Sequence, residues 1–113
     1  SLNIDGRWAR ANHDTVIRFM RAFIRAHEWF YANKAGCQKI AMLETGITAE
    51  YADRAWDEYT AAEIFPRDAQ ANPESIQTLI DISALLRAIP KRADTEAKSY
   101  INHSYLDEAR RSL

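Results

Sequence analysis

Residues 14–33 form the stretch that most constrains the fold, because their apolar side chains recur at steps of three and four. These apolar residues are Val16, Ile17, Phe19, Met20, Phe23, Ile24, Phe30 and Tyr31. The spacing predicts a long amphipathic helix with one wide apolar stripe, and it places Arg18, Arg21 and Arg25 toward water. A helix of roughly 20 residues is about 30 Å long, the width of a small domain, so the rest of the chain must pack against it.

Four further helices are expected along the chain. With the long helix, the predicted spans are 12–33, 35–44, 48–63, 73–89 and 104–110, and residues 1–11 are expected to form an arm or the remnant of a strand. Gly46 is a typical helix stop, and Asn72 followed by Pro73 is a strong helix start. Residues 91–98 lack apolar periodicity and are expected to be a solvated connection. The sequence therefore predicts an all-α chain of four to five helices with short connections.

The caps and buried faces of these helices can also be assigned. Asn12 is the expected N-cap of the long helix, and Ser104 to Asp107 resembles a capping box. The expected buried positions are Ile40, Ala41 and Leu43 in the second helix, Tyr51, Ala52, Ala55, Trp56 and Tyr59 in the third, and Ile76, Leu79, Ile80, Ser83, Leu86 and Ile89 in the fourth.

Length and charge exclude several classes of protein. A chain of 113 residues is long enough for one domain and too short for two. Its formal net charge of -1 argues against a general nucleic-acid binder, which normally carries a basic excess. No apolar run is long enough to predict a membrane span. The start, Ser1 to Gly6, does not resemble a signal peptide and lacks methionine, so we expect a processed product or an excised piece.

The polar residues form no pattern that predicts catalysis or metal binding. Cys37 is the single cysteine and is expected to pack rather than react. The positions three and four residues after His27 are Phe30 and Tyr31, so a helical metal pair is not expected and His27 is interpreted as a hydrogen-bonded imidazole at the core edge. The other two histidines, at positions 13 and 103, lie beside helix starts and are expected to be exposed.

Two carboxylates on the third helix could in principle form an acid–base pair. Asp53 and Asp57 are four residues apart and share a helix face, but Arg54 and the other polar residues favour a solvated surface. We therefore predict no catalytic residues, no metal ligands and no cofactor, and we expect a protein that is not an enzyme.

The aromatic content is large for so short a chain. The chief aromatic residues are Trp8, Trp29, Trp56, Tyr31, Tyr51 and Tyr59. Aromatic residues at helical spacing usually fill the core. A few short helices can hardly bury all of them, so some are expected to form an apolar interface with a neighbour. The strand-like N-terminal arm lacks a partner strand, which also indicates a neighbour that pairs with it.

Several segments, taken in order, resemble a known family. They are residues 8–23 (WARANHDTVIRFMRAF), residues 31–35 (YANKA), Thr45-Gly46-Ile47 before the third helix, and Ser104-Tyr-Leu-Asp near the end. Together they resemble the solute-binding proteins of ABC importers, in the group that serves nitrate, sulfonates, taurine and thiamine-pyrimidine precursors. His13 and Lys34 stand where the family often has proline, and both lie at helix starts, where proline is optional.

The resemblance implies a place in a larger two-lobed α/β protein with the type II periplasmic-binding-protein fold. The chain would be its C-terminal helical part, exported to the periplasm or held outside the cell at the membrane. Its partners would be the remainder of the parent protein, a membrane permease, and a small anion or thiamine-precursor-like solute. In the family, ligand contacts come mainly from earlier loops, so the ligand-binding residues of this chain are unknown.

Two other functions stay open. Relatives of the same fold make the thiamine pyrimidine, so the chain could belong to such an enzyme, with the reactive residues elsewhere. It could also be a stand-alone helical domain that interacts or dimerises through its aromatic face.

Overall fold

The computed structural model describes residues 2–90 and 96–113, and these residues are organised as six α-helices and one 3₁₀ helix. The α-helices are α1 (Gly6–Ala11), α2 (His13–Ala32), α3 (Lys34–Thr45), α4 (Ala49–Ala61), α5 (Pro73–Leu85) and α6 (Ser104–Arg111), and the 3₁₀ helix is Ala97–Ser99. No strand occurs in the described residues, so the all-α prediction is confirmed. None of the helices described is long and apolar enough to cross a membrane.

The N-terminal arm differs from the expectation, because it is helical from Gly6 onward. Asp5 begins α1 as its N-cap: one carboxylate oxygen accepts hydrogen bonds from the backbone N–H groups of Arg7 and Trp8, at 2.9 and 2.8 Å. This cap satisfies two donors that a helix start leaves unpaired. The short alternation of Leu2 and Ile4, which suggested a strand, ends before the cap.

Two of the predicted N-caps, those of α2 and α6, differ from the caps in the structure. The Asn12 side chain does not cap α2; its Nδ2 donates to the carbonyl of Trp8 at 2.9 Å, so Asn12 ends α1. Ser104 is the first residue of α6 rather than its cap. The N-cap position belongs to His103, and the side chain of Asn102 accepts from the Ser104 N–H at 2.9 Å.

Helices α4 and α5 end earlier than predicted because each closes with a Schellman motif that contains no glycine. In α5, the N–H of Ala88 bonds to the carbonyl of Ser83 at 2.8 Å and that of Arg87 to Ala84 at 3.0 Å, with Arg87 at a φ of 57°. In α4, Glu63 takes the corresponding left-handed position at a φ of 46°. Glycine normally occupies the left-handed position of this motif, because it carries no steric penalty there. Neither position is a glycine in this chain, so the sequence gives little sign of where the two helices end.

The core lies where α6 packs across α2. Ile17 and Ile24 of α2 are buried against Leu106 and Ala109 of α6, with Met20, Ala69 and Tyr105 around them. Phe19, which was expected in the same stripe, is 54% exposed. It follows Ile17 by two positions, a rotation of about 200° around the helix, so it lies on a different side of α2.

Several other positions expected in the core lie at the surface. They are Ile40 and Leu43 of α3, Tyr51 and Tyr59 of α4, and Leu79, Leu86 and Ile89 in or after α5. Helix α3 packs on α4, and α5 packs on the 3₁₀ helix. Neither α3 nor α5 contains a fully buried residue. Nothing in the described chain covers much of the apolar surface of these helices.

The molecule exposes far more surface than a compact protein of its mass. Its accessible surface is 8629 Å², against about 6,300 Å² expected for a folded 13.0 kDa monomer. The Cα radius of gyration is 16.9 Å, against about 13 Å for a compact domain of this length. Helices that are well formed but thinly packed account for both differences.

Truncating Leu106 should show how much of the fold depends on the contact between α2 and α6. Leu106 is 2% exposed, and Leu106→Ala removes buried methyl groups and leaves a cavity. We expect the free energy of unfolding in urea, followed by circular dichroism, to fall by about 2–5 kcal/mol. The matched control is Leu43→Ala, at a position that is 78% exposed, where a change within about 0.5 kcal/mol is expected. Equal losses in the two variants would contradict this account of the core.

Candidate docking surface

A continuous row of rings runs along α2 and continues into the turn after α4. It consists of Phe19, Phe23, His27, Phe30, Tyr31, Trp56, Tyr59 and Phe65, and is called the aromatic ridge below. Neighbouring ring centroids are 4.3 to 6.3 Å apart. Most pairs meet edge to face or at a tilt, the geometries that aromatic quadrupoles favour.

Helical spacing explains how α2 contributes to the ridge. Phe19, Phe23, His27 and Tyr31 are four residues apart and therefore stack along one side of the helix. Phe65 joins them from the turn that follows α4. Its ring contacts Phe30 at 5.3 Å and Tyr59 at 5.9 Å, and its carbonyl accepts a hydrogen bond from the Tyr31 hydroxyl. The position of Phe65 depends on the non-glycine turn at Glu63, which is why the sequence pattern did not place it in the ridge.

The end of α2 is joined to α4 beneath the ridge. The indole Nε1 of Trp56 donates to the carbonyl of Phe30 at 3.0 Å, one of the carbonyls that a helix C-terminus leaves without an internal partner. The Cys37 thiol lies 3.5 Å from the same oxygen. Burial raises the pKa of the Cys37 thiol, and a hydrogen bond with Trp56 opposes this with a smaller effect. A thiol in such surroundings stays protonated near neutral pH, as a packing residue does.

His27 is part of the ridge and is half-buried. Its Nδ1 lies 3.1 Å from the Phe23 carbonyl, and its ring meets that of Phe23 nearly edge-on at 4.3 Å. Because a carbonyl can only accept, Nδ1 carries the donated proton. This geometry agrees with the hydrogen-bonded imidazole at the core edge that the sequence predicted.

A shallow recess of about 390 Å³ opens beside the ridge, lined by His27, Glu28, Tyr31, Ala32 and Arg67. The Arg67 guanidinium stacks over the Tyr31 ring at 4.0 Å and pairs with Glu63 at 3.2 Å. With Glu28 at the same rim, the recess has charges of both signs and so no net charge that would select an anion.

The outer edge of the ridge is open to solvent. Phe19, Tyr59 and Phe65 are all exposed. Contiguous apolar surface of this kind is typical of an interface. The ridge and its recess are therefore the candidate docking surface.

The two carboxylates expected on a solvated face of α4 are exposed, but they also hold a lysine from α3. Lys34 Nζ lies 2.7 Å from Asp57 and 2.9 Å from Asp53, and 5.4 Å from the centre of the Trp56 ring. Gln38 adds a hydrogen bond to Asp53 at 2.6 Å. The contact joins residues about 20 positions apart, so spacing within one helix could not reveal it.

The charged groups of this cluster shift one another's pKa values. Hydrogen bonds to Asp57 and then Asp53 raise the pKa of the Lys34 ammonium. In turn, the hydrogen bond from Lys34 lowers the pKa of the Asp53 carboxyl. Both carboxylates are more than half exposed, so the cluster is a solvated joint between α3 and α4 rather than a buried acid–base pair.

The other two histidines secure α6. His13 lies 3.0 Å from Glu108 and packs on the Tyr105 ring at 5.4 Å. His103 was expected to be exposed, but it is half-buried and its Nε2 accepts from the backbone N–H of Ala71 at 3.1 Å. Both therefore make structural contacts between segments that are far apart in the sequence.

Comparison with known proteins adds no family to this description: no family model, curated protein sequence or solved structure matches the chain. Within residues 2–90 and 96–113, no group of three or more histidine, cysteine, aspartate or glutamate side chains is placed to hold a metal ion.

Acid should weaken the joint between α3 and α4. Because folding lowers the pKa of Asp53, its contribution to stability is fully present above the unfolded value of about 3.9 and is lost as the pH falls through the folded value. We expect Asp53→Asn to reduce the loss of thermal stability between pH 5 and the acid limit, measured as the change in Tm. The control is Glu44→Gln, which replaces an exposed carboxylate that has no ion pair among the described residues. An unchanged acid profile in Asp53→Asn would contradict the assignment.

Proposed function

We propose that this chain is the C-terminal helical part of the solute receptor of an ABC importer for a small anion or a thiamine-precursor-like solute. The observation that carries the proposal is the open aromatic ridge on a molecule with an accessible surface of 8629 Å². That surface is about 2,300 Å² larger than expected for a compact monomer. A neighbouring domain that packs on the ridge would account for it, and the family resemblance supplies the identity of that domain.

The role assigned to the chain is structural support for binding, not catalysis. In a two-lobed receptor, ligand is captured when the lobes close about a hinge, and the closed form is presented to the permease. The helices would pack on the first lobe through the ridge, and the recess beside Arg67 would receive side chains of that lobe. In this proposal the receptor is exported, and the ligand is held by residues that lie outside the chain.

Ligand titration of the native gene product tests the receptor proposal. We expect the purified native product to be larger than 13.0 kDa and to bind one of nitrate, taurine, an alkanesulfonate or a thiamine-pyrimidine precursor in calorimetry. The 113-residue chain titrated alone is the control and should bind none of them. A native product of 13.0 kDa, or a folded larger product that binds none of these solutes, would overturn the proposal.

Coverage of the ridge gives a second test. The Phe19 ring is 54% exposed in the chain by itself, and it would be buried if a neighbouring lobe packed on the ridge. We expect Phe19→Ser to lower the free energy of unfolding of the native product by about 1–3 kcal/mol more than that of the isolated chain. Since the same substitution is compared in two contexts, helix propensity cancels. Equal effects in both contexts would mean that the ridge stays exposed.

A further inference from the structure

A single imidazole joins the connection between α4 and α5, residues 62–72, to the start of α6. The Nε2 atom of His103 accepts a hydrogen bond from the backbone N–H of Ala71 at 3.1 Å. His103 is also the N-cap residue of α6, and both residues of the pair are half-buried. This contact, called the imidazole latch below, joins residues that are 32 positions apart in the sequence.

The connection that the latch holds is under backbone strain. Ala69 has a φ of 58°, a left-handed conformation that costs free energy for a residue with a side chain. It keeps this conformation while it packs on the core cluster of α2 and α6. A further contact with α6 is the hydrogen bond from the Arg110 guanidinium to the Asp68 carbonyl. The latch is therefore one of the contacts that oppose relaxation of this turn.

The latch requires a neutral imidazole. Because a backbone N–H can only donate, Nε2 of His103 must carry a lone pair, and the proton of the neutral ring must lie on Nδ1. A proton taken up at Nε2 turns this acceptor into a donor, so the hydrogen bond is replaced by a contact between two N–H groups. It also puts a positive charge at the N-terminus of α6, where the helix dipole disfavours it. Both effects oppose the contact in acid.

The charged groups near the latch supply no ion pair that would hold a protonated ring in place. The connection and the start of α5 contribute Asp68 and Glu74, and α6 contributes Asp107 and Arg110. The three carboxylates are exposed, and the Asp68 carboxylate accepts from the backbone of its own connection at 3.0 Å. None of the carboxylates in the described residues forms an ion pair with the His103 ring. The lost hydrogen bond is therefore not replaced.

Charged groups on the other elements near α6 have partners of their own. In α2, His13 lies 3.0 Å from Glu108, and Arg21 donates to a hydroxyl at the C-terminal end of α6 at 2.8 and 3.0 Å. In the 3₁₀ helix, Lys98 pairs with Glu96 at 2.9 Å. A proton on His13 turns its hydrogen bond with Glu108 into an ion pair, which is the stronger contact. Acid therefore acts in opposite directions on the two imidazoles that contact α6.

We propose that the imidazole latch is a pH-sensitive switch. Protonation of His103 releases the N–H of Ala71 and loosens the connection between α4 and α5, while α6 stays packed on α2. The contact is present while the imidazole is neutral and is lost in mild acid as the ring takes up its proton. The loosened connection carries Phe65 of the aromatic ridge and Arg67 of the recess, so the switch softens one side of the docking surface. The inference does not rest on the receptor proposal.

Amide hydrogen exchange of the 113-residue chain, followed by NMR, tests the switch. We compare about pH 7.5 with about pH 5.5, a range that brackets histidine titration in model peptides. The protection factor of the Ala71 amide, which corrects for the intrinsic pH dependence of exchange, should fall about two- to tenfold, the factor that corresponds to one hydrogen bond. The reference is the amide of Ala109, which is 0% exposed and should keep its protection. The ring nitrogen shifts of His103 should show a bare Nε2 at the higher pH and a protonated one at the lower.

Two variants separate His103 from other groups that titrate. In His103→Gln the side chain offers a neutral amide oxygen and cannot take up a proton in this range, so the fall in Ala71 protection should disappear. The matched control is His13→Gln, which removes the other imidazole beside α6 and should leave the fall unchanged.

Three results would overturn the proposal. The first is equal protection of Ala71 at both pH values in the wild-type chain. The second is a fall that persists in His103→Gln, because another group then titrates. The third is a parallel fall at Ala109, because acid then releases the whole of α6. The ligand titration above decides the receptor proposal separately.

Discussion

The fold depends on the contact between the long helix α2 and the C-terminal helix α6. Ile17 and Ile24 pack against Leu106 and Ala109, so the N-terminal and C-terminal parts of the chain share one small apolar cluster. Bringing distant segments together costs loop-closure entropy, which must be offset by apolar burial at this contact. Of the eight apolar residues buried in the described chain, four are alanines, which bury little area each. The core is therefore thin, and additional contacts, such as Arg21 to Ser112 and His13 to Glu108, assist in holding α6 in place.

The thin core and the large exposed surface have the same origin. The chain has three tryptophans, five tyrosines and four phenylalanines, and most of the ones that contact one another do so in the ridge rather than in the core. Ring-to-ring contacts stabilise the junction of α2 with α4 while leaving the outer ring edges in water. Further burial of those edges would add stability, so the molecule gains from a neighbour that covers the ridge.

Local signals in the sequence predict the helices well, and they fail where the structure depends on long-range contacts. The long helix was expected over 12–33 and spans His13–Ala32, and Gly46 and Asn72 act at helix ends as predicted. The ends of α4 and α5 were missed because Glu63 and Arg87 occupy left-handed positions that sequence rules reserve for glycine. Periodicity also identifies an apolar stripe without saying whether anything covers it. For that reason Leu79 and Leu86 were assigned to a core that the described chain does not build around them. Periodicity within one helix also could not predict the contacts of Lys34 with α4 or the contribution of Phe65 to the ridge, because both depend on residues distant in the sequence.

The aromatic ridge and the exposed face of α5 differ in their side chains and in their shape. The ridge is made of rings, lies beside a recess of about 390 Å³ and has charges of both signs at its rim; such relief fits the irregular surface of a folded domain. Helix α5 and the residue after it expose the aliphatic side chains of Leu79, Ile82 and Leu86. Aliphatic seams interlock through regularly spaced side chains, whereas aromatic surfaces gain most when single rings enter pockets of the partner. The ridge is therefore the exposed surface whose shape and side chains favour a folded neighbour.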